Sequence, residues 1–276
     1  MTRQPQTAMP SIAVIVIPAR YQSTRFPGKP LAAIHGVSGG PKPLIQRSFE
    51  AARSVKGVAA VHVATDDARI ADAAAGFGAP VILTPLSCAN GTERVAAALP
   101  GLPAHADIIV NFQGDALLTP PALVEALIAH MRADPDCQVA TVAVRCSASA
   151  YRHLVDDQAA GRVGGTTAVV NARSEAMYFS KRVLPYLAPG AVEEADPPVL
   201  MHLGLYAYRR AALIAYAAMP ATRIEQYEGL EQLRFLHGSI PVAVVQCDPP
   251  AWDAIELNNP SDLDPIEAIL AARSIE

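Results

Sequence analysis

The chain has 276 residues, of which 51% are hydrophobic and 17% charged, and its formal net charge is −4 at pH 7. This length and apolar fraction suffice for a large core, and without a block of Lys and Arg the chain is not expected to bind nucleic acid or an anionic membrane through bulk charge. It has no run of about 18 apolar residues that could span a membrane. Its four cysteines lack CxxC spacing, which indicates free thiols of the cytoplasm rather than a zinc site.

The first segment, residues 1–11, is expected to be frayed, because it is polar and lacks the apolar core of a signal peptide. After it, apolar runs typical of buried strands alternate with stretches typical of helices. The predicted strands are 12–17, 58–64, 80–83, 108–112, 139–144, 168–170, 200–208 and 242–245. The predicted helices are 44–54, 67–77, 94–99, 120–132, 209–218, 229–237 and 260–272, and residues 35–43 are predicted to be a Gly- and Pro-rich loop. This alternation predicts an α/β fold with a mostly parallel sheet, helices on both faces and a single domain over 12–276.

The loop after the first strand carries most of the chemical information. It contains Arg20, Arg25 and Lys29, with Gly28 to let the backbone approach a ligand closely. Ligands of parallel sheets bind beyond the carboxyl ends of the strands, and three cations there suit a polyanion such as a triphosphate. The spacing matches neither GxxxxGK[ST] nor GxGxxG. The alternative interpretation is a solvated basic loop.

A second strand end carries an acid. Asp115 follows the predicted strand 108–112 by way of Gln113 and Gly114. A carboxylate in this position can hold Mg²⁺ against phosphate oxygens, since Mg²⁺ is usually bound by one or two carboxylates and keeps water ligands. The alternative is a structural Asp that caps the next turn.

Seven short motifs extend this pattern along the chain. They are PARYQSTRFPGKP (18–30), VATDD (63–67), GTER (91–94), VNFQGD (110–115), MYFS (177–180), HLGLYAY (202–208) and LEQLR (230–234). In this order, over roughly residues 12 to 270, they resemble the motifs of the 3-deoxy-manno-octulosonate (KDO) cytidylyltransferases, or CMP-KDO synthetases. The resemblance implies a Rossmann-like nucleotidyltransferase fold, a small β-rich dimerisation region at about 165–210 and a cytoplasmic homodimer. It also implies the Mg²⁺-dependent transfer of CMP from CTP to a sugar acid, with release of pyrophosphate.

The same resemblance implies the nucleotide site. Its catalytic residues would be Lys29, Arg20 and Asp115. Residues that correspond to the family's CTP contacts are Pro18, Ala19, Arg20, Arg25, Gly28, Lys29, Asn90, Gly91, Thr92, Arg94 and Gln113. Asn90 stands where the family has Ser, in the loop that reads the cytosine edge.

The resemblance further implies a sugar site and a metal site. The expected sugar-binding residues are His202, Tyr206, Glu231, Gln232 and Lys181, and the expected metal ligands are Asp115, Glu256 and Asn258. Two of these positions depart from the family, because Asn258 replaces its second metal-binding Asp and Lys181 replaces an Arg. Glu256 lies two residues before Asn258, on the same face if the stretch is extended, and is the candidate replacement.

These departures leave alternatives open. The sugar could be KDO or a close relative, such as its 8-amino form, or the enzyme could use another acid sugar or another nucleotide. A further hypothesis is that the chain is a non-catalytic nucleotide-binding homologue with one acidic metal ligand. A dinucleotide-dependent oxidoreductase is disfavoured, because its Gly-rich fingerprint is absent.

Overall fold

The computed structural model describes residues 11–22, 26–188, 197–252, 256–257 and 259–276. Its strands are β1 (Ile12–Ala19), β2 (Ala33–His35), β3 (Pro41–Pro43), β4 (Val58–Thr65), β5 (Val81–Leu83), β6 (Ala106–Phe112), β7 (Val139–Arg145), β8 (Thr166–Val170), β9 (Ala176–Ser180), β10 (Leu200–Arg209) and β11 (Val242–Cys247). Its helices are α1 (Leu44–Arg53), α2 (Ala68–Gly76), α3 (Gly91–Ala98), α4 (Pro121–Ala133), α5 (Ala148–Ala159), α6 (Arg210–Ala218), α7 (Arg223–Glu228), α8 (Leu233–His237) and α9 (Leu263–Ala272). The frayed segment predicted at 1–11 lies outside the described residues, apart from Ser11.

The central sheet has the strand order β11-β7-β10-β6-β1-β4-β5. Strand β1 is parallel to both β4 and β6, and β5 is parallel to β4. Strand β10 is antiparallel to β6 and β7, and β8 and β9 extend the sheet from one end of β10. The predicted α/β fold is confirmed.

Two apolar layers cover the sheet, one on each face. Along β1, Ile15 and Ile17 point into one layer, while Val14 and Val16 point into the other. The first layer contains side chains of α1, α2 and α4, and the second contains side chains of α3, α6 and α8. Both faces of β1 are therefore buried, which explains why its sequence is a continuous apolar run.

The chain reverses its direction of travel across the sheet next to β1. From β1 it passes through α1 to β4 and through α2 to β5, and then returns through α3 to β6 on the other side of β1. The connections at the carboxyl ends of β1 and β6 thus lead away in opposite directions and leave a crevice between them. Residue 20 follows β1 there, and residues 113–115 follow β6.

The predicted loop at 35–43 is wrong in part. Strands β2 and β3 pair there as a small antiparallel hairpin, with Ala33 opposite Pro43. Gly39, with φ of 76°, supplies the left-handed backbone that the connection requires. The sequence does not predict this hairpin, because it contains Pro41 and Pro43, and Pro is disfavoured in strands except at edges.

Helix α5 and strand β9 were not predicted from the sequence. Helix α5 begins after Ser147, whose hydroxyl accepts the N–H of Ala150 at 3.1 Å. It buries little more than Tyr151 and Leu154 of its apolar side chains, so its hydrophobic periodicity is weak.

The helix predicted at 229–237 is shorter than expected, and another helix precedes it. A reciprocal capping box between Thr222 and Glu225 starts α7, which was not predicted, and Gly229, with φ of 61°, ends it. Helix α8 begins only at Leu233. Glu231 and Gln232 consequently lie in the bend between two short helices rather than on a helix face.

Across the described parts of the chain, none of the helices is both long and apolar enough to cross a bilayer.

Candidate active site

A crevice of about 350 Å³ opens at the carboxyl ends of β1 and β6. Predicted site residues that line it are Pro18, Ala19, Arg20, Lys29, Asn90, Gly91, Arg94, Gln113, Asp115 and Glu231. The strand-end loops that were singled out in the sequence therefore meet in one place. Arg25 lies outside the described residues.

Lys29 and Asp115 form an ion pair in this crevice. The distance from Lys29 Nζ to Asp115 Oδ2 is 2.5 Å, and each side chain is 18% exposed. Arg20 is exposed at the end of β1 and lines the same space. With Arg94 and Glu231, which also line it, the crevice combines three cations with two carboxylates, a composition that suits a metal-bound polyphosphate.

Glycine shapes the loop that carries Lys29. Gly28 has φ of 73°, and its N–H donates to the carbonyl of Tyr21 at 3.0 Å. A Cβ at this position would also lie 3.1 Å from the Tyr21 hydroxyl. Gly28 does not line the crevice itself. Its conformation directs the following turn, Lys29–Leu31, towards Asp115.

A second glycine, Gly114, allows the end of β1 and the loop after β6 to lie close together. A Cβ at Gly114 would lie only 2.9 Å from the carbonyl oxygen of Pro18, so a larger residue would force β1 and the loop after β6 apart. Ser48 of α1 donates a hydrogen bond to the Gly114 carbonyl at 2.9 Å. Asp115 is therefore held by its backbone as well as by Lys29.

The N-terminus of α3 forms another wall. Asn90 is the N-cap, and its Oδ1 accepts the N–H of Glu93 at 2.8 Å while its Nδ2 donates to the hydroxyl of Tyr216 at 3.0 Å. Both ends of this amide are thus engaged within the protein. A Cβ at Gly91 would lie 3.3 Å from Gln113 Nε2, so the absent side chain lets Gln113 reach the wall.

Arg94 lies deeper in the same wall. It is 3% exposed, forms a 2.9 Å ion pair with Asp66 Oδ1 and donates to the hydroxyl of Thr84 at 2.7 Å. In the sequence, Asp66 is part of the motif at 63–67, and nothing in that motif indicates its role. Only the packing of the loop after β4 against α3 reveals it as the partner that holds Arg94.

Glu231 lines the crevice and accepts hydrogen bonds from the start of α3. Its Oε2 accepts the N–H of Gly91 at 3.0 Å, and its Oε1 accepts the N–H and the hydroxyl of Thr92 at 3.1 and 2.8 Å. Thr92 is 1% exposed and shares its hydroxyl with Tyr208 at 3.0 Å. Burial raises the pKa of the Glu231 carboxyl, and the three donors oppose that effect.

Known proteins resemble this chain over almost its whole length. A family model described as cytidylyltransferase matches residues 14–240. The chain is 43% identical over 257 residues to the 3-deoxy-manno-octulosonate cytidylyltransferase of Maricaulis maris, with 93% of this chain and 96% of that protein covered. The chain belongs to the 3-deoxy-manno-octulosonate cytidylyltransferase family.

One further relative and one solved structure are similar to this cytidylyltransferase. It is 37% identical over 259 residues to the 8-amino-3,8-dideoxy-manno-octulosonate cytidylyltransferase of Shewanella halifaxensis, with 93% and 98% of the two chains covered. The solved structure of a CMP:2-keto-3-deoxy-manno-octonic acid synthetase complexed with CTP matches with a TM-score of 0.80 at 38% identity, covering 95% of this chain and all of that one (100%).

An aromatic row extends from β10 of this cytidylyltransferase. His202 lies 5.0 Å from the ring of Phe179 and 5.4 Å from that of Tyr206, and Tyr206 stacks on Tyr208 at 5.9 Å. His202, Tyr206 and Tyr208 therefore share one face of the strand. Neither His202 nor Tyr206 lines the crevice described above.

His202 is a neutral histidine at physiological pH. Its Nε2 lies 3.0 Å from the hydroxyl of Thr141, and burial lowers its pKa to about 3. Burial likewise raises the pKa of the Tyr206 hydroxyl, which is 3% exposed. These side chains can therefore offer neutral hydrogen-bonding groups but no charge.

The other expected sugar residues lie around the bend after α7. Gln232 is 2% exposed, and its Nε2 has no hydrogen-bond partner within the described ranges. Lys181 is exposed, and its N–H donates to Glu228 Oε2 at 3.0 Å. Its ammonium lies 2.7 Å from the position that a Cβ of Gly229 would take, which places it over the loop that leads to Glu231.

The expected metal ligands are only partly described. Asn258 lies outside the described residues. Glu256 lies near Gln113, because a Cβ at Gly204 would be 3.7 Å from Glu256 Oε1 and 3.4 Å from Gln113 Cγ. Its neighbour Leu257 donates its N–H to the carbonyl of Asp115 at 3.4 Å.

The donor chemistry at this edge fits Mg²⁺. Asp115 and Glu256 offer hard carboxylate oxygens at adjoining stretches of backbone, and Mg²⁺ is usually bound in this way, by one or two carboxylates plus phosphate and water. Within the described part of the chain, no group of three or more His, Cys, Asp or Glu side chains forms a complete cation cage. The residues therefore suit a metal that is shared with a phosphate better than one held by protein alone.

Proposed function

We propose that this cytidylyltransferase transfers CMP from CTP to KDO or its 8-amino relative, with Mg²⁺, and releases pyrophosphate. The observation that carries the proposal is the crevice at the switch point, where the Lys29–Asp115 ion pair faces the N-terminus of α3. The names of the full-length relatives support the two sugar acids.

The nucleotide would lie with its triphosphate along Arg20 and Lys29 and its base towards the α3 wall. In the reaction a sugar hydroxyl loses its proton to solvent and its oxygen bonds to the α-phosphorus, while the bond from the α-phosphorus to the α–β bridging oxygen breaks and pyrophosphate leaves with that oxygen. Such transfers depend on positioning and on neutralising charge more than on covalent help. Lys29 is placed to neutralise the charge that develops on the leaving group.

Mg²⁺ would be held by Asp115, with Glu256 as the second carboxylate. When bound, the metal would neutralise phosphate charge and orient the α-phosphate. Asp115 already forms an ion pair with Lys29. With substrate bound, the Asp115 carboxylate would hold the metal and the Lys29 ammonium would contact the phosphates.

The sugar acid would bind on the side of His202, Tyr206 and Gln232. Neutral donors and acceptors suit sugar hydroxyls, and the unpartnered amide of buried Gln232 is available for one of them. Lys181 would pair with the sugar carboxylate. Lys and Arg differ in how they bind a planar carboxylate, so the Lys at this position supports testing both KDO and its 8-amino form.

The decisive experiment is a substrate matrix. Pyrophosphate release is measured with ATP, GTP, CTP and UTP, each combined with KDO, 8-amino-KDO and other ulosonic or nonulosonic acids, with and without Mg²⁺. The expected result is release with CTP and one of the two octulosonates only when Mg²⁺ is present. Release with a different nucleotide or acid would support the same fold with another substrate, and no release with any pair would support a non-catalytic homologue.

We also propose a homodimer formed through the region at about 165–210. Exposed apolar side chains occur there and close to it, with Met177 62%, Tyr186 83% and Val163 59% exposed. Light scattering on the purified protein is expected to give twice the chain mass, and Met177→Lys is expected to lower it. A single-chain mass at all concentrations would contradict the dimer.

The expected location is the cytoplasm. Cys88, Cys137, Cys146 and Cys247 are free thiols in the structure, and free thiols suit a reducing compartment. Fractionation of cells that produce the protein would test this.

A further inference from the structure

The Glu231 carboxylate joins the two sides of the active site. Its segment, the bend between α7 and α8, lies beside the residues expected to bind the sugar. Its three hydrogen bonds, however, are all to Gly91 and Thr92 on the nucleotide wall.

These bonds satisfy groups that a helix end leaves open. The first N–H groups of a helix have no partner within it, and the helix dipole favours a negative charge beside them. Asn90 serves the N–H of Glu93, so the N–H groups of Gly91 and Thr92 are left to Glu231. The carboxylate thus completes the cap of α3 from a distant part of the chain.

Two guanidinium groups near Glu231 are already paired with other acids. Arg94 pairs with Asp66, and Arg234 pairs with Glu225 and Glu93. The start of α3 is therefore what stabilises negative charge on Glu231. An ionised carboxylate has about four acceptor sites, and three are occupied here, so little capacity is left for a sugar hydroxyl.

The consequence falls on the crevice wall. Gly91 lines the crevice, faces Gln113 and is fixed by its N–H bond to Glu231. If that bond is lost, the wall against which a nucleotide base would rest is no longer held in place.

We propose that Glu231 is a positioning residue for the nucleotide, which holds the Gly91–Thr92 wall in its binding-competent place before any sugar acid arrives. This rests on the proposed function, in which CTP occupies the crevice. The contribution of Glu231 is therefore expected in the affinity for CTP alone.

The test measures CTP binding by calorimetry without sugar acid, for the wild type and Glu231→Gln. An amide has one acceptor and one donor end, so at least one N–H of the wall loses its partner, and the Kd for CTP is expected to rise about ten-fold. In steady-state assays the KM for CTP is expected to rise more than the KM for the sugar acid. The matched control is Glu228→Gln. Glu228 also accepts from hydroxyls, those of Ser180 and Tyr178, and from an N–H, that of Lys181, but none of these donors belongs to α3. Its affinity for CTP is expected to equal that of the wild type.

A second series tests the same contact from the other side. Thr92→Val removes the hydroxyl that donates to Glu231, and Thr92→Ser restores a hydroxyl. CTP affinity is expected to fall in the first and to recover in the second. If the hydrogen bond between Glu231 and Thr92 is the cause, Glu231→Gln lowers CTP affinity less in the Thr92→Val protein than in the wild type. If circular dichroism shows that Glu231→Gln fails to fold, the Thr92 variants still test whether this contact supports CTP binding.

The outcomes separate this inference from the proposed function. A Glu231→Gln protein that binds CTP as the wild type does, but has a raised KM for the sugar acid, would overturn the positioning role and leave the function intact. A wild type that binds another nucleotide instead of CTP would overturn the function, and the same comparison with that nucleotide would then decide the role of Glu231.

Discussion

The ammonium of Lys29 and the carboxylate of Asp115 lie 2.5 Å apart although 86 positions separate them in the chain. The pair joins the loop after β1 to the loop after β6, the two connections that diverge at the switch point of the sheet. Each group is partly shielded from solvent, which strengthens their interaction with each other and with a charged substrate.

Replacement of Lys29 by Ala is expected to reduce turnover at least about 100-fold, because a positioned donor that neutralises charge in the transition state is removed. Pyrophosphate release under saturating substrates measures the effect. Lys42→Ala is the matched control, since Lys42 pairs with Glu50 outside the crevice. Near-normal turnover of a folded Lys29→Ala protein would remove Lys29 from the catalytic set.

Asp115→Asn is expected to raise the Mg²⁺ concentration for half-maximal rate and to leave metal-free CTP binding largely intact. An amide keeps the shape of the side chain but loses the charge that holds a hard cation. The two quantities are measured by Mg²⁺ titration of the rate and by calorimetry in the presence of a chelator. An unchanged Mg²⁺ titration would show that Asp115 is not a ligand.

Glu256→Gln tests whether this acid replaces the family's second metal carboxylate. It is expected to raise the Mg²⁺ requirement, while Asn258→Asp has a mild effect. Glu267→Gln is the control, because Glu267 accepts hydrogen bonds from His35 and not from the crevice. If Glu256→Gln titrates as the wild type does and Asn258→Asp tightens Mg²⁺, Asp115 is the single protein carboxylate.

The buried pair of Asp66 and Arg94 is expected to matter for stability as well as for the site. The side chains are 8% and 4% exposed, so Asp66→Asn leaves the Arg94 charge buried without its counter-ion, at a cost of about 3–5 kcal/mol. Urea denaturation measures the loss. Asp66→Asn combined with Arg94→Met is expected to be more stable than Asp66→Asn alone. Asp67→Asn, in a surface pair with Arg69, is expected to cost no more than about 1 kcal/mol. Equal losses from the two Asp variants would contradict this account.

His202 predicts a pH dependence of stability. Its folded pKa of about 3 lies below the ordinary value of 6.5, so between these values the unfolded chain binds a proton that the folded chain does not. The free energy of unfolding therefore falls as pH is lowered through this window, by up to about 1.4 kcal/mol per pH unit from this group.

His202→Gln is expected to flatten this acid dependence, whatever its effect on stability at neutral pH. Urea unfolding at a series of pH values between the folded pKa of about 3 and the ordinary value of 6.5 measures the slope. His62, whose pKa burial also lowers, provides a second variant for the same measurement. An identical slope for wild type and His202→Gln would mean that His202 accepts a proton in the folded protein.

The sequence alone determined the sheet-and-helix alternation and the loop chemistry at two strand ends. Apolar runs at 12–17 and 108–112 specify buried strands. The residues that form the site, Lys29 and Asp115 among them, follow these strands within a short stretch of sequence. Because ligands of parallel sheets bind beyond strand ends, local pattern was enough to place the crevice. The roles of Arg25 and Asn258 stay predictions, since both lie outside the described residues.

The tertiary structure decided which distant side chains meet. The order of strands brings Asp66 to Arg94. Gly229 ends α7 and α8 begins only at Leu233, so Glu231 lies in the bend between these helices and contacts Gly91. Neither contact has a signature in local sequence, because burial and partner choice depend on how elements far apart in the chain pack. The same reason makes His202 a neutral, partly buried histidine: its pKa is set by the side chains that surround it and not by its place in a motif.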